Sequence, residues 1–216
     1  MTKKILKNVL LVGTTAALLS FDLPLPEGWL KAGDKPDSYE MGIAKDEGMD
    51  KNTQTPIKIG QYDLMVESGV GKNCATIKSI SKKIDGFGTL MQSCLPDKYL
   101  GKRVRMSGYL KSKDVAEWAG FWMRVDQPNS TPLNSLSFDN MEDRAIKGTT
   151  DWKKYEIVLD VPLRASNIAY GVLLSGTGQV WFDNLNFEVV DKSVPTTDKG
   201  RNFMPLKEPA NLDFEK

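Results

Sequence analysis

The chain has 216 residues, 40% hydrophobic and 26% charged, which suits one ordinary domain or two small ones and excludes collagen-like and wholly disordered chains. Lys plus Arg number 29 against 28 Asp plus Glu, and Lys3, Lys4 and Lys7 supply the excess, so the chain lacks the basic balance of a general nucleic-acid binder. With no histidine and two cysteines, it is excluded from Ser-His-Asp and Cys-His catalysis, His-ligated zinc, zinc ribbons and iron–sulfur sites, and carboxylate-only chemistry is the hydrolytic option left.

Residues 1–20 join a basic start to an uncharged run, 8–20, rich in Val, Leu and Ala. That is the pattern of a secretory signal peptide, and it is short for a membrane span. The expected organisation is a signal peptide at 1–20, one domain at 21–191 and an extended tail at 192–216. The mature protein is then exported to the periplasm, the cell surface or the medium, without a transmembrane domain.

Strands are expected at 74–80 and 89–95, separated by the turn signal Asp85-Gly86. Cys74 and Cys94 lie equally far from Ile84, so a hairpin about that point sets them opposite one another. They are either a disulfide or two buried thiols. In 101–111, Val104, Met106, Gly108 and Leu110 share one face, while Arg103, Arg105, Ser107 and Tyr109 share the other. In 119–126, Ala119, Phe121, Met123 and Val125 oppose Gly120, Trp122, Arg124 and Asp126. Further strands are expected at 135–138, 154–161, 168–175 and 180–190. The tail carries Leu212-Asp213-Phe214-Glu215, and residues 211–215 are expected to pair along a sheet edge of the same or a neighbouring molecule.

No segment has the period of a long amphipathic helix. Many short strands with one apolar face each are covered by a second sheet, so the expected fold class is all-β, an antiparallel β-sandwich.

Two stretches carry a family resemblance. Thr150-Asp151-Trp152-Lys153-Lys154-Tyr155, followed by Val180-Trp181-Phe182-Asp183-Asn184-Leu185, resembles the last third of galactose-binding-domain-like jelly rolls, which include many carbohydrate-binding modules. The stretches GKRVRMSGYLKS, AGFWMRVD, FDNMEDRAIKGTTDW and LLSGTGQVWFDN resemble an uncharacterised bacterial family whose members are sometimes labelled AraC-type transcriptional regulators. The resemblance implies a jelly roll with sugar-contacting residues on a sheet face or its rim. It also implies a structural calcium at Asp183, although Asn184 stands where the second acid of that pattern would be. No other cofactor is expected.

The candidate site residues follow from strand phase. Trp122 falls on the face away from the core beside Arg124, Arg105 and Tyr109 share the analogous polar face of their strand, and the hairpin about Ile84 places Gln92 on such a face too. With Asn140 these form an aromatic platform flanked by polar groups, which suits a sugar: the ring takes the C–H face and the polar groups take hydroxyls. The other reading has Trp122 covered by 127–134 or the tail, and Arg124 paired to an acid. Asp139, Glu142 and Asp143 form an acid cluster that could bind calcium, act as an acid pair, or simply close a turn on Arg144 and Lys147. The leading functional expectation is an exported, non-catalytic module that binds a carbohydrate or surface glycan. The alternative is a structural or protein-interaction domain with no small-molecule ligand.

Overall fold

The computed structural model describes residues 23–45, 73–129 and 135–198. The expected signal segment, residues 130–134 and the tail stretch 211–215 lie outside them. Among the described residues nine strands run in order: β1 (Leu30–Gly33), β2 (Tyr39–Lys45), β3 (Asn73–Ser79), β4 (Phe87–Cys94), β5 (Arg103–Asp126), β6 (Ser137–Asp139), β7 (Ile146–Asp160), β8 (Asn167–Ser175) and β9 (Gln179–Val190). Every pairing is antiparallel. The expected antiparallel β-sandwich of jelly-roll type is what the chain forms.

β5 belongs to both layers. Residues 103–113 pair with β9, and Trp118–Asp126 pair with β8. One layer is therefore β1-β4-β8-β5, with β6 on the far edge of β5. The other is β7-β5-β9-β3-β2. The sequence reading placed two separate strands at 101–111 and 119–126, but they are one bent strand of 24 residues. The reason was visible in the phase. Buried positions are even-numbered at Val104, Met106 and Leu110, and odd-numbered at Ala119, Phe121 and Met123. An inserted residue is needed to keep one side inward, and the pairing slips in steps between Leu110 and Ala119.

Asp114 sits at this corner in the left-handed region, φ 52°. Its N–H donates to Thr149 Oγ1 at 3.0 Å, and that hydroxyl donates to Asp114 Oδ1 at 3.2 Å. Gly178 packs on the corner so tightly that a Cβ there would lie 2.7 Å from Val115 Cα and 2.8 Å from Asp114 O.

The two layers enclose one core. Val104, Met106, Ile157 and Phe182 come from one sheet, and Leu90, Phe121, Val172 and Leu174 from the other. Full burial of one such side chain is worth about 1.5–3 kcal/mol, so two of them match the ~2–4 kcal/mol usual for a disulfide. The fold does not need a cross-link and has none at the expected place. Cys74 and Cys94 are thiols and form no disulfide. β3 pairs with β2 and β9, whereas β4 pairs with β1 and β8. The residues between β3 and β4 therefore cross from one sheet to the other, anchored by buried Ile84, rather than folding back as a hairpin.

β1 and β2 were not foreseen. β1 is a four-residue strand, LKAG, with little periodicity to read. β2 carries a real signal in Tyr39 and Met41, both buried, that follows the turn-forming Asp34-Lys35-Pro36-Asp37.

Candidate functional site

The outer face of the β1-β4-β8-β5 layer holds the strongest candidate site. With Ala119, Phe121, Met123 and Val125 fully buried inward, the same strand must present Trp118, Gly120, Trp122 and Arg124 outward. Register builds rows across the face. Trp118 stands level with Ser175 and Phe87, Gly120 with Leu173 and Thr89, Trp122 with Gly171 and Met91, and Arg124 with Ala169. Gly120, Gly171 and Ala169 keep the middle of the sheet low. Half-buried Trp118, Phe87 and Phe138 rise around it, packing with Met91 as an apolar cluster separate from the main core. The result is a groove of about 430 Å³, inside the ~300–1,000 Å³ range of small-molecule sites.

Trp122 is part of the floor. It is 8% exposed, and its Nε1 donates to Thr89 Oγ1 at 2.8 Å, while that hydroxyl donates to Val172 O at 2.7 Å. Thr89 lies on β4, so the indole crosses β8 at the level of Gly171. Arg124 is paired with Asp126, Nε to Oδ1 at 2.8 Å and Nη2 to Oδ2 at 3.1 Å. Asn167 Nδ2 also donates to Asp126, at 3.2 Å. This grip fixes the guanidinium plane and leaves Nη1 as a donor at the groove.

Asn140 reaches the same groove by way of an unusual backbone. The next residue, Met141, is fully buried in the left-handed region at φ 60°, ψ 15°, a conformation costly for a long side chain. Its N–H donates to Asp139 Oδ1 at 2.8 Å, and Arg144 holds both Asp139 oxygens at 2.6 and 3.2 Å. The acid cluster is thus read as the anchor of a turn. Asp139 spends its lone pairs on Arg144 and the backbone, and Asp143 also meets Arg144, at 2.9 Å.

The structure brings Trp122, Arg124 and Asn140 together and separates the other three candidates from them. Arg105 and Tyr109 lie on the first half of β5, on the outer face of the opposite layer. There Arg105 meets Glu156 at 3.2 Å and Glu188 at 3.0 Å. Gln92 faces the interior, because Met91 and Thr89 take the outer face of β4. Its side chain accepts from the Tyr170 hydroxyl, beside an aromatic group in which Tyr170 lies 5.9 Å from Trp29 and 4.7 Å from Phe187. The expectation for Gln92 assumed the hairpin about Ile84, and it fails with that hairpin.

Asp183 accepts from Asn184 N at 2.7 Å. It is the carboxylate lining a shallow pocket of about 290 Å³ with Asn73, Cys74 and Asn184. Among the described residues no three His, Cys, Asp or Glu side chains converge. Calcium takes about six to eight oxygen ligands, backbone carbonyls among them, so a cation here would rest on Asp183 together with main-chain oxygens.

The sequence reading missed Trp118, Phe87, Phe138, Thr89 and Ser175 as groove residues. Trp118 was legible, since Trp118, Gly120, Trp122 and Arg124 follow one another at steps of two.

No protein-family model matches the chain. The uncharacterised HTH-type transcriptional regulator YbfP of Bacillus subtilis is 42% identical over 190 residues, covering 88% of this chain and 57% of that protein. The chain thus spans little more than half the length of this relative. The described residues contain no helical element beyond turns of three residues, so nothing in them corresponds to a helix-turn-helix. Among solved structures, the enzymatically active domain of tailspike protein 4 of bacteriophage CBA120 is similar over 76% of this chain and 20% of that one, with TM-score 0.52 and 12% identity. The CBM22-1 xylan-binding domain of Paenibacillus barcinonensis Xyn10C is matched over 79% of this chain and 91% of that one, with TM-score 0.47 and 13% identity. The tailspike likeness bears on the fold.

Proposed function

We propose that the protein is an exported, non-catalytic module that binds an oligosaccharide in the groove across β4, β8 and β5. The observation that carries this reading is the aromatic-walled groove itself. Its low floor lets a sugar ring descend between Trp118, Phe87 and Phe138, whose faces suit the C–H side of a pyranose. Arg124 Nη1 and the Asn140 side chain supply donors to hydroxyls, and Ser175 stands on the Trp118 row. An open groove with few polar groups implies modest affinity.

Export rests on the N-terminal pattern of basic residues and an uncharged run. Absence of catalysis accords with Asp139 being committed to Arg144. Had Trp122 been covered with no groove above it, a purely protein-binding face would be the better reading. Instead it floors an open groove. A glycan array probed with the purified chain tests the proposal. Binding to a defined oligosaccharide class that is lost in Trp118→Ala supports it, and uniform silence overturns it.

A further inference from the structure

The opposite sheet carries a second groove with different chemistry. On the β5-β9-β3-β2 face, register sets Lys111, Trp181, Thr76 and Gly42 in one row and Lys113, Gln179, Lys78 and Glu40 in the next. Gly42 has no side chain and Thr76 is short and buried, its hydroxyl donating to Val180 O at 2.7 Å. The first row therefore drops away beside Trp181 into a trough. Leu23 closes the far side, packed so near Gly42 that a Cβ there would lie 2.6 Å from Leu23 Cβ. The trough encloses about 660 Å³.

Its charge is unlike that of the first groove. Lys113 and Lys78 flank Gln179 about 10 Å apart, from the spacing of neighbouring strands. Lys111 Nζ lies 5.8 Å from the Trp181 ring centroid. Among the described residues, no carboxylate lies within ion-pair distance of any of the three. Glu40 and Asp114 also line the trough. Asp114 takes a hydrogen bond from Thr149 Oγ1 at 3.2 Å, and the lysines keep a positive excess. The wall is thus an indole with three ammonium groups around it, and among the described residues no arginine lines it.

We propose that this trough binds an acidic saccharide, a uronate-bearing oligosaccharide whose ring stacks on Trp181 and whose carboxylate meets Lys78, Lys111 and Lys113. Lysine ammonium groups are compact point charges suited to a single carboxylate on a mobile ring. Gln179 and Glu40 supply acceptors for the hydroxyls. The site lies on the other face of the sandwich and does not depend on the groove at Trp122.

Calorimetric titration of the full chain at low salt with trigalacturonate, and with neutral galactotriose as its uncharged counterpart, tests the inference. Trigalacturonate should bind, weaken as salt is raised, and resist competition by galactotriose. Trp181→Ala should weaken it at least about tenfold. Lys78→Gln with Lys113→Gln, exposed substitutions that leave the core untouched, should weaken it about three- to tenfold. Trp118→Ala should leave it unchanged. No binding of trigalacturonate overturns the inference. So does binding that the lysine double variant leaves intact, or binding abolished by Trp118→Ala, which would move the acidic sugar to the first groove.

Discussion

The indole Nε1 of Trp122, on β5, donates to the hydroxyl of Thr89, on β4, at 2.8 Å across the intervening strand β8. This bond lays a large aromatic ring flat where a side chain of that size would otherwise stand upright, and so it sets the depth of the groove.

Replacing Thr89 by Val keeps the shape and removes the acceptor. A buried N–H left without a partner costs about 1–3 kcal/mol, so Thr89→Val should lower stability by that amount in chemical denaturation. It should also alter saccharide binding, because the indole is released. Unchanged stability and unchanged binding would show that the bond does not hold the floor.

The corner of β5 predicts a contrast between two glycines, both with positive φ. At Gly178, φ is 132° and a Cβ would meet backbone atoms at 2.7–2.9 Å, whereas at Gly148, φ is 67° and nothing lies within 4 Å. Gly148→Ala should cost about 1–2 kcal/mol, the left-handed penalty alone. Gly178→Ala should cost clearly more, because it also pushes against the Asp114–Val115 backbone. Thermal unfolding of the two variants checks this, and equal losses would refute the corner contact.

Tyr39 predicts a pH dependence. Its hydroxyl donates to Gly176 O at 2.9 Å and is buried. Burial, with Glu117 adding to it, raises its pKa from 10.0 to about 12. The folded state therefore favours the neutral phenol. The stability this confers is fully present below pH 10 and is lost as pH rises toward 12. Two units correspond to roughly 2–3 kcal/mol. Tyr39→Phe should be less stable at pH 7 yet lose less stability than the parent between pH 10 and pH 12. Identical alkaline slopes would contradict this.

The cysteines give a chemical test. Cys74 and Cys94 lie in different sheets as thiols outside any disulfide, so unfolding without reductant followed by alkylation should label both, and reductant should not change the melting temperature. Recovery of a disulfide-linked, unlabelled species would contradict the sheet assignment.

The fold was legible because alternation was strong wherever one face is buried. Met106, Phe121 and Leu159 sit on the faces that the period of two assigns to the core. The part of the site on β5 was legible for the same reason: Trp122 and Arg124 follow directly from the inward set beside them. Gln92 was misplaced because phase within a strand does not say which sheet the strand joins, and the loop at Ile84 crosses between layers. Arg105 and Tyr109 were assigned correctly to an outer face. They belong to the opposite one because β5 changes sheets, and only the even-to-odd shift around Asp114 hints at that. Phe87 and Phe138 reach the groove by pairings of distant strands, which one strand's pattern cannot carry.

The most direct test of the central claim is the affinity of the purified chain for its best array oligosaccharide, measured by titration for the parent, Trp118→Ala and Trp181→Ala. If the groove across β4, β8 and β5 is the saccharide site, Trp118→Ala weakens binding at least about tenfold, while Trp181→Ala, on the other face, leaves it unchanged for a neutral sugar. Equal affinity of the parent and Trp118→Ala would contradict the account.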